Sequence, residues 1–261
     1  MLHLPVSGKA VSFSMPDGAD DLAIVESRGP AVMRALTILP LLGRIVDADH
    51  KADDWATLTV TDFEYALLAL RVHLAGEHIS CAFDCPREAC GERVEVEFRV
   101  ADFLADVRPG LPRDVEADDT RAGWFRLAGT DASFRLPTVS DQAAVFGTID
   151  APRRLARLCI EPGNLPARAR ARVERAMESL APEVSREITG TCPACGNALS
   201  GTLYVPLLVI DELRRAAADV YDDVHLIAGT YHWPESQILA LSRARRQAYA
   251  EQIRRGGRAR A

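Results

Sequence analysis

Four cysteines carry the one arrangement in this 261-residue chain whose spacing points to defined chemistry. Cys85-Pro-Arg-Glu-Ala-Cys90-Gly91 and Cys192-Pro-Ala-Cys195-Gly196 both read as metal knuckles. In such a segment a turn aims two thiolates at one metal, and the glycine after the second cysteine lets the backbone fold around the sulfur. A closed structural zinc site takes four ligands, and each knuckle supplies two. The expectation is one structural zinc ion held by Cys85, Cys90, Cys192 and Cys195. Two other states compete with it. The pairs could be reduced, unmetallated thiols, or Cys192 and Cys195 could form a redox couple. The couple would need a thiolate near a helix N-terminus, and strands are expected there instead.

The rest of the composition narrows the class. With 48% hydrophobic and 26% charged residues and a formal net charge of -6, the chain is an ordinary globular protein long enough for a buried core. It has no apolar run long enough to cross a bilayer, and the start does not read as a signal peptide. A cytoplasmic setting follows, in which cysteines serve as ligands or buried thiols and not as disulfides. Charge is uneven: Arg243 to Ala261 holds seven Arg and one Glu, so that stretch is +6 and the remainder -12. Lys9 and Lys51 are the only lysines. There is no phosphate loop, nucleophile elbow, paired-histidine metalloprotease motif or dinucleotide fingerprint. Nothing argues for an enzyme.

The elements that must position the cysteines are written twice. Ser12-Phe13-Ser14-Met15-Pro16 is echoed by Ser133-Phe134-Arg135-Leu136-Pro137. Each leads through a polar stretch into helix, then into an apolar helical pattern (Ala31 to Leu39, Pro152 to Ile160), a longer helix, a knuckle and a strand. The closing strands align as Val94, Val96, Phe98 and Val100 against Leu199, Gly201, Leu203 and Val205. A longer loop around Asp47 to Trp55 accounts for the extra length of the first half. On this alignment Cys81 matches Ile188, which favours a core-facing role, although a ligand set including Cys81 is the alternative. Cys159, in an apolar helix, is expected as a buried hydrophobe. His225 and His232 lack a cysteine partner and are expected as packing residues.

The longer helix of the first half is expected to start at a capping box of Thr61 and Glu64, to bury Phe63, Leu67, Leu70 and Leu74, and to stop at Gly76. Its counterpart, Ala167 to Leu180, turns Val173, Met177 and Leu180 inward and an arginine-rich face to solvent. The fold class is therefore α+β. It is mostly helical, with two pseudo-symmetric halves joined through a central zinc-ribbon-like β element and a C-terminal helical extension. The halves are 1–107, with knuckle 85–90, and 132–205, with knuckle 192–195. Residues 108–131 read as a polar linker, 206–255 as the extension and 256–261 as a disordered basic tail. Within the extension, helices are expected from Pro206 to about Tyr221, from Asp222 to His232, and from Glu235 to near Arg255.

Val224-His225-Leu226-Ile227-Ala228, Tyr231-His232-Trp233-Pro234-Glu235-Ser236-Gln237-Ile238-Leu239-Ala240-Leu241 and Arg245-Arg246-Gln247-Ala248-Tyr249 resemble the tail of baseplate proteins from contractile phages and phage-tail-like injection systems. These are similar to the T-even phage baseplate hub protein family. The two knuckles, Phe134-Arg135-Leu136-Pro137-Thr138 with Asp141, and Asp62-Phe63 with Leu67-Leu68-Ala69-Leu70 look like the same group. The first knuckle departs from the second by two extra residues between its cysteines, and the arginine-rich tail is not part of the pattern. The resemblance implies a non-enzymatic structural or assembly protein of a contractile-tail baseplate. It would work in the bacterial cytoplasm or in the assembled tail, with baseplate hub or wedge proteins as partners and no membrane. Trp233, Ile238, Leu239 and Leu241 would then form a partner-binding face, or they close the protein's own core. The competing function is a zinc-ribbon adaptor that binds nucleic acid through the arginine-rich C-terminus, and the acidic remainder of the chain counts against it.

Overall fold

The computed structural model describes residues 1–46 and 54–258. Strands β1 (Leu2–His3) and β2 (Ala10–Phe13) are followed by helices α1 (Gly18–Glu26) and α2 (Ala31–Leu42) and strand β3 (Gly43–Val46). A short 3-10 turn at Trp55–Thr57 leads into α3 (Val60–Ala75), the hairpin β4 (His78–Asp84) and β5 (Arg93–Arg99), and the five-residue α4 (Val100–Leu104). Then come β6 (Val115–Ala117), β7 (Trp124–Leu127), β8 (Ser133–Arg135), α5 (Val139–Val145), α6 (Ala151–Cys159), β9 (Ile160–Glu161) and α7 (Ala167–Leu180). The hairpin β10 (Arg186–Thr191) and β11 (Ala198–Leu203) precedes α8 (Val205–Ala217), α9 (Val220–Tyr231), α10 (Glu235–Leu239) and α11 (Arg243–Arg258). The fold is mixed helix and small antiparallel sheets, as expected for α+β. The longer loop expected around Asp47 to Trp55 falls mostly on residues 47–53, outside the described residues.

Two compact units emerge: Met1–Val11 with Ile45–Val205, and Ser12–Arg44 with Pro206–Ala261. They divide the chain differently from the expected halves, because residues 12–44 group with the C-terminal extension. The supposed linker 108–131 is also structured, since β6 and β7 lie in it and continue into a four-stranded sheet ordered β6-β7-β8-β9. Their three- and four-residue lengths give no readable alternation, so only pairing with β8 defines them. The core over this sheet contains Val115, Leu127, Phe134, Cys159, Ile160 and Val173, so Cys159 is the buried hydrophobe expected.

Helix α3 begins earlier than its sequence signal. Thr59, not Thr61, is the cap, and its hydroxyl accepts from the Asp62 N–H at 3.2 Å. Thr61 instead donates to the Pro182 carbonyl, 121 positions away, and Glu64 accepts from the Ser185 N–H at 2.8 Å. Gly76 ends the helix at φ 85°, which suits glycine. Phe63, Leu67 and Leu70 are buried, whereas Leu74 is half-buried. On α7, Val173 and Leu180 point inward, Arg168 and Arg175 are exposed, and Arg172 reaches Asp114 at 2.8 Å.

A backbone clip organises the first unit. Thr59 and Thr138 form an antiparallel bridge, with Val60 N–H on Pro137 O at 3.2 Å and Val139 N–H on Leu58 O at 3.0 Å. Thr138 caps α5 in a capping box with Asp141, whose carboxylate also takes two bonds from Arg135 at 2.5 and 2.8 Å. The Arg135 guanidinium holds the Asp141 carboxyl down to about 2. Asp62, one turn into α3, accepts the N–H groups of Val6 and Ser7 at 2.8 and 2.9 Å and fixes the β1–β2 turn.

The second unit repeats that clip with other residues. Asp17 and Ser242 bridge, Gly18 N–H meets Leu241 O at 3.1 Å, and Arg243 N–H meets Pro16 O at 3.2 Å. Asp17 caps α1 in a capping box with Asp20. A Cβ on Gly18 would lie 2.7 Å from the Leu239 backbone, so only glycine fits here. Below the clip lies a buried ion network. Arg243 and Arg246 both reach Asp21, the latter at 2.5 Å, while Asp223 pairs with Arg246 at 3.5 Å and Arg254 at 3.0 Å.

The break between the first two helices of the extension falls at Ala218–Asp219, slightly before the expected Tyr221–Asp222 boundary, and the expected single helix from Glu235 is itself broken at Ala240–Ser242. Neither break carries proline or glycine. The second is set by Ser242, which leaves the helix to pair with Asp17. Helix α11 runs past Arg255 to Arg258, which corrects the expected disordered tail for 256–258; residues 259–261 lie outside the described residues. His225 and His232 are exposed, against the packing role expected of them, and His232 is the left-handed cap of α9 at φ 57°.

Candidate metal centre

The two hairpins of the first unit deliver all four expected cysteines to one point. In β4–β5 the pairing runs from His78 and Arg99 to Asp84 and Arg93, and in β10–β11 from Arg186 and Leu203 to Thr191 and Ala198. Each knuckle starts one residue past the last pair and is closed by the same bond: Cys85 N–H to Glu92 O and Cys192 N–H to Asn197 O, both 2.8 Å. Gly91 and Gly196, at φ 63° and 69°, let the chain return after the second cysteine. The two extra residues of the first knuckle are taken up in its turn, where Cys90 N–H reaches Arg87 O at 2.8 Å.

The Sγ atoms of Cys85, Cys90, Cys192 and Cys195 all lie within 4.8 Å of one another. Across the hairpins, Cys85 stands 3.7 Å from Cys195 and Cys90 stands 3.8 Å from Cys192. These separations are far beyond the roughly 2.05 Å of a disulfide. A tetrahedral site with metal–sulfur bonds of about 2.3 Å has sulfur–sulfur edges of about 3.8 Å. The four cysteines can therefore hold a metal ion. Cys81 is not among them: its half-buried thiol donates to the Val96 carbonyl across the hairpin at 3.7 Å.

Crowding governs the protons of these thiols. The Asn197 backbone N–H, and then the neighbouring thiols against the cost of burial, bring Cys195 down to about 7. The Glu92 N–H pulls Cys90 the same way, but its hydrogen bond to Cys195 and its own burial outweigh that and push it up to about 12. The cluster thus favours ionisation of Cys195 and opposes it at Cys85 and Cys90. A soft or borderline dication would draw off the remaining protons and take all four as thiolates.

Three contacts stack along the hairpin pair. At the base, the Arg186 guanidinium lies 4.3 Å from the Phe103 ring centre and donates to the Phe103 carbonyl. Midway, the Phe83 ring lies directly over Gly201, where a Cβ would come within 2.1 Å of it. At the tip, the cysteines pack with Leu199 and Val94, and little else is buried there.

Sequence reasoning missed two further features. Glu64 is almost fully buried at the edge of a cavity of about 750 Å³ that Leu155, Met177 and Tyr204 also line. Burial, with Glu183 adding repulsion, pushes its carboxyl up to about 7 despite the hydrogen bonds from Ser185. The capping-box signal assigned this residue to the helix N-terminus instead. The other feature is the Asp21–Arg246 pair, 225 positions apart and invisible to any local pattern.

Of the residues expected to bind a partner, Ile238 is fully buried with Ile227 and Ala250. Trp233 stacks on Tyr231 at 5.4 Å and meets Tyr249 edge-on at 5.2 Å, while Leu239 and Leu241 are half-buried. Ile238 and Trp233 thus close the second unit's own core. Arg243, Arg246 and Arg254, which contributed to the basic C-terminal stretch, are committed to Asp21 and Asp223.

Hairpins that converge on a four-cysteine cluster, in a scaffold of clipped helices, define a cysteine-clustered structural domain. The chain belongs to the T4 bacteriophage base plate protein family, whose model matches residues 2–161, more than half of the sequence. That match includes Asp62, the Phe134–Asp141 segment and the first knuckle. It ends before the second knuckle and before the C-terminal run that also carried the resemblance. No curated protein and no solved structure matches the chain. Among the described residues, no helix is long and apolar enough to cross a membrane.

Proposed function

We propose that this chain is a non-enzymatic, zinc-stabilised structural or assembly protein of the baseplate of a contractile phage tail or contractile injection system. The observation that carries the reading is the meeting of four thiols from two distant hairpins at the edge lengths of a tetrathiolate site. One zinc bound there would hold Cys85 and Cys90 to Cys192 and Cys195. The ion's part is structural, because four protein sulfurs leave no open position for a substrate.

The same reading treats the chain as an internal duplication with the zinc at the seam. Element order supports it: strand, two helices, strand, longer helix, hairpin and helix occur as β2-α1-α2-β3-α3-β4-β5-α4 and again as β8-α5-α6-β9-α7-β10-β11-α8. Both copies open with a capping box, and the caps that end α1 and α5 share φ -56° and ψ 135°. Val94 and Leu199, aligned by sequence, both pack against the cysteines. Hub or wedge proteins are the proposed partners, and the bacterial cytoplasm the proposed place of assembly.

Metal analysis of the intact chain under native mass spectrometry should find one zinc per chain. Co-expression with the tail proteins of the same gene cluster should recover it with hub or wedge proteins. Two ions per chain would overturn the shared site, and a monomer that joins no tail protein would overturn the baseplate role. The nucleic-acid reading is weakened because Arg243, Arg246 and Arg254 are already paired, and an absence of DNA or RNA retardation at low salt would remove it.

A further inference from the structure

The two β-α-α copies are built alike but finished differently. In the second unit, α1 and α2 are covered by α8 and the start of α9. Arg214 donates to the Ser27 carbonyl at 3.1 Å, Asp211 pairs with Arg34 at 3.7 Å, and the Tyr221 hydroxyl donates to Glu26 at 2.7 Å. Helix α2 buries Val32, Ala35, Ile38, Leu39 and Leu42. Each hairpin is followed by a helix, but α8 has 13 residues where α4 has five.

In the first unit, α5 meets the 3-10 turn and α3, and among the described residues no long helix takes the place of α8 on the matching pair α5 and α6. Phe146, the cap equivalent to Ser27, is 57% exposed, and Ile149 in the same connection is fully exposed. Helix α6 buries only Cys159. Its Arg153, Arg154, Arg157 and Leu158 all face solvent, whereas Arg34 of α2 is nearly covered beside Asp211. Arg153 pairs with Asp150 at 3.7 Å, which leaves Arg154 and Arg157 beside the exposed apolar connection, and large apolar side chains next to exposed cations are characteristic of an interaction surface.

We propose that the α5–α6 face is the docking site for an acidic amphipathic helix of another protein, seated as α8 is seated on α1–α2. Charge selects the occupant. Arg154 and Arg157 call for carboxylates, and the Asp211–Arg34 pair shows a carboxylate meeting an arginine of the corresponding helix. Phe146 and Ile149 supply the apolar anchor. The proposal rests on the duplication reading for the seat and on the baseplate reading for the source of the helix, which would be another tail protein.

The test uses the full-length chain and a fluorescent peptide of residues 205–217 carrying Arg214→Glu and Arg215→Glu, followed by anisotropy. The peptide should bind, and Phe146→Asp and Arg154→Glu should each weaken it about tenfold. Met33→Asp, at an exposed apolar position of α2, should leave binding unchanged. All three positions are exposed, so unchanged circular dichroism is expected for every variant. No binding, or equal binding by all variants, would overturn the proposal. So would concentration-dependent dimerisation abolished by Phe146→Asp, which would give the face to a second copy. A Phe146→Asp chain that still joins hub or wedge proteins undiminished would sink this site while leaving the baseplate role intact.

Discussion

Replacing Cys85 or Cys195 by serine removes one thiolate from opposite hairpins, since their Sγ atoms lie 3.7 Å apart and their positions 110 residues apart. A clasp across a loop of that length restrains the unfolded chain by about 5 kcal/mol in the chain-entropy model. Little at the hairpin tips would compensate, because the cluster there contains only Leu199 and the half-buried Val94 besides the cysteines. Burying a leucine contributes about 2 kcal/mol, and domains are stable by about 5–15 kcal/mol in total. Either substitution should therefore abolish metal binding and cost a third or more of the stability. Urea unfolding by circular dichroism, with metal measured by plasma mass spectrometry, tests this. Both variants and the chelated wild-type chain should unfold at one lowered midpoint, in one transition. The reasoning fails if a metal-free variant keeps the wild-type midpoint, or if Cys85→Ser loosens one hairpin while Cys195→Ser loosens only the other. Retention of metal by either variant would mean that the ligand set is wrong.

Glu64 should make the protein less stable as pH rises. Its folded carboxyl sits at about 7 against 4.5 when unfolded, so the folded state binds the proton more tightly and unfolding free energy falls across that interval. The loss is about 3 kcal/mol, and Glu64→Gln should flatten it; an unchanged slope between pH 4.5 and 7 in denaturation series would refute the assignment. Asp21→Asn should cost about 3–5 kcal/mol, because buried Arg246 loses the nearer of its two carboxylate partners and Arg243 loses its own, and a melting temperature within a degree of wild type would contradict that. Gly201→Val should push Phe83 off the second hairpin and cost about 1–3 kcal/mol, and hydrogen exchange of β4–β5 and β10–β11 no faster than in the wild-type chain would argue against the contact.

The cysteine cluster was legible because both its ligand chemistry and its turns are local: each knuckle is a short segment closed by its own backbone. The same holds for Gly76, whose positive φ ends α3 in its own vicinity. What escaped depends on residues far away. Thr61 and Glu64 have the spacing of a capping box, but Pro182 and Ser185 claim their side chains, and Thr59 takes over the cap. The strands β6 and β7 are too short to show a period and exist through pairing with β8. Ser242 breaks a pattern of good helix formers because its backbone is needed opposite Asp17. Arg243, Arg246 and Arg254 looked like part of a free cationic patch, since their carboxylates, Asp21 and Asp223, meet them only in the folded chain.

That ion network also sets a timetable. Asp21 emerges early in synthesis, but Arg243 and Arg246 follow 222 and 225 residues later. The four cysteines can come together once residue 195 has left the ribosome, whereas the second unit must wait for α11. Residues 12–44 therefore spend most of translation as a helical segment without its partner, exposing Asp21 to water where its charge is harmless. At the usual pace of about 5–20 residues per second, that wait lasts on the order of ten seconds or more. The second unit closes after the cysteine cluster, so a growing chain cannot present that unit in finished form to a neighbour before Arg246 has left the ribosome.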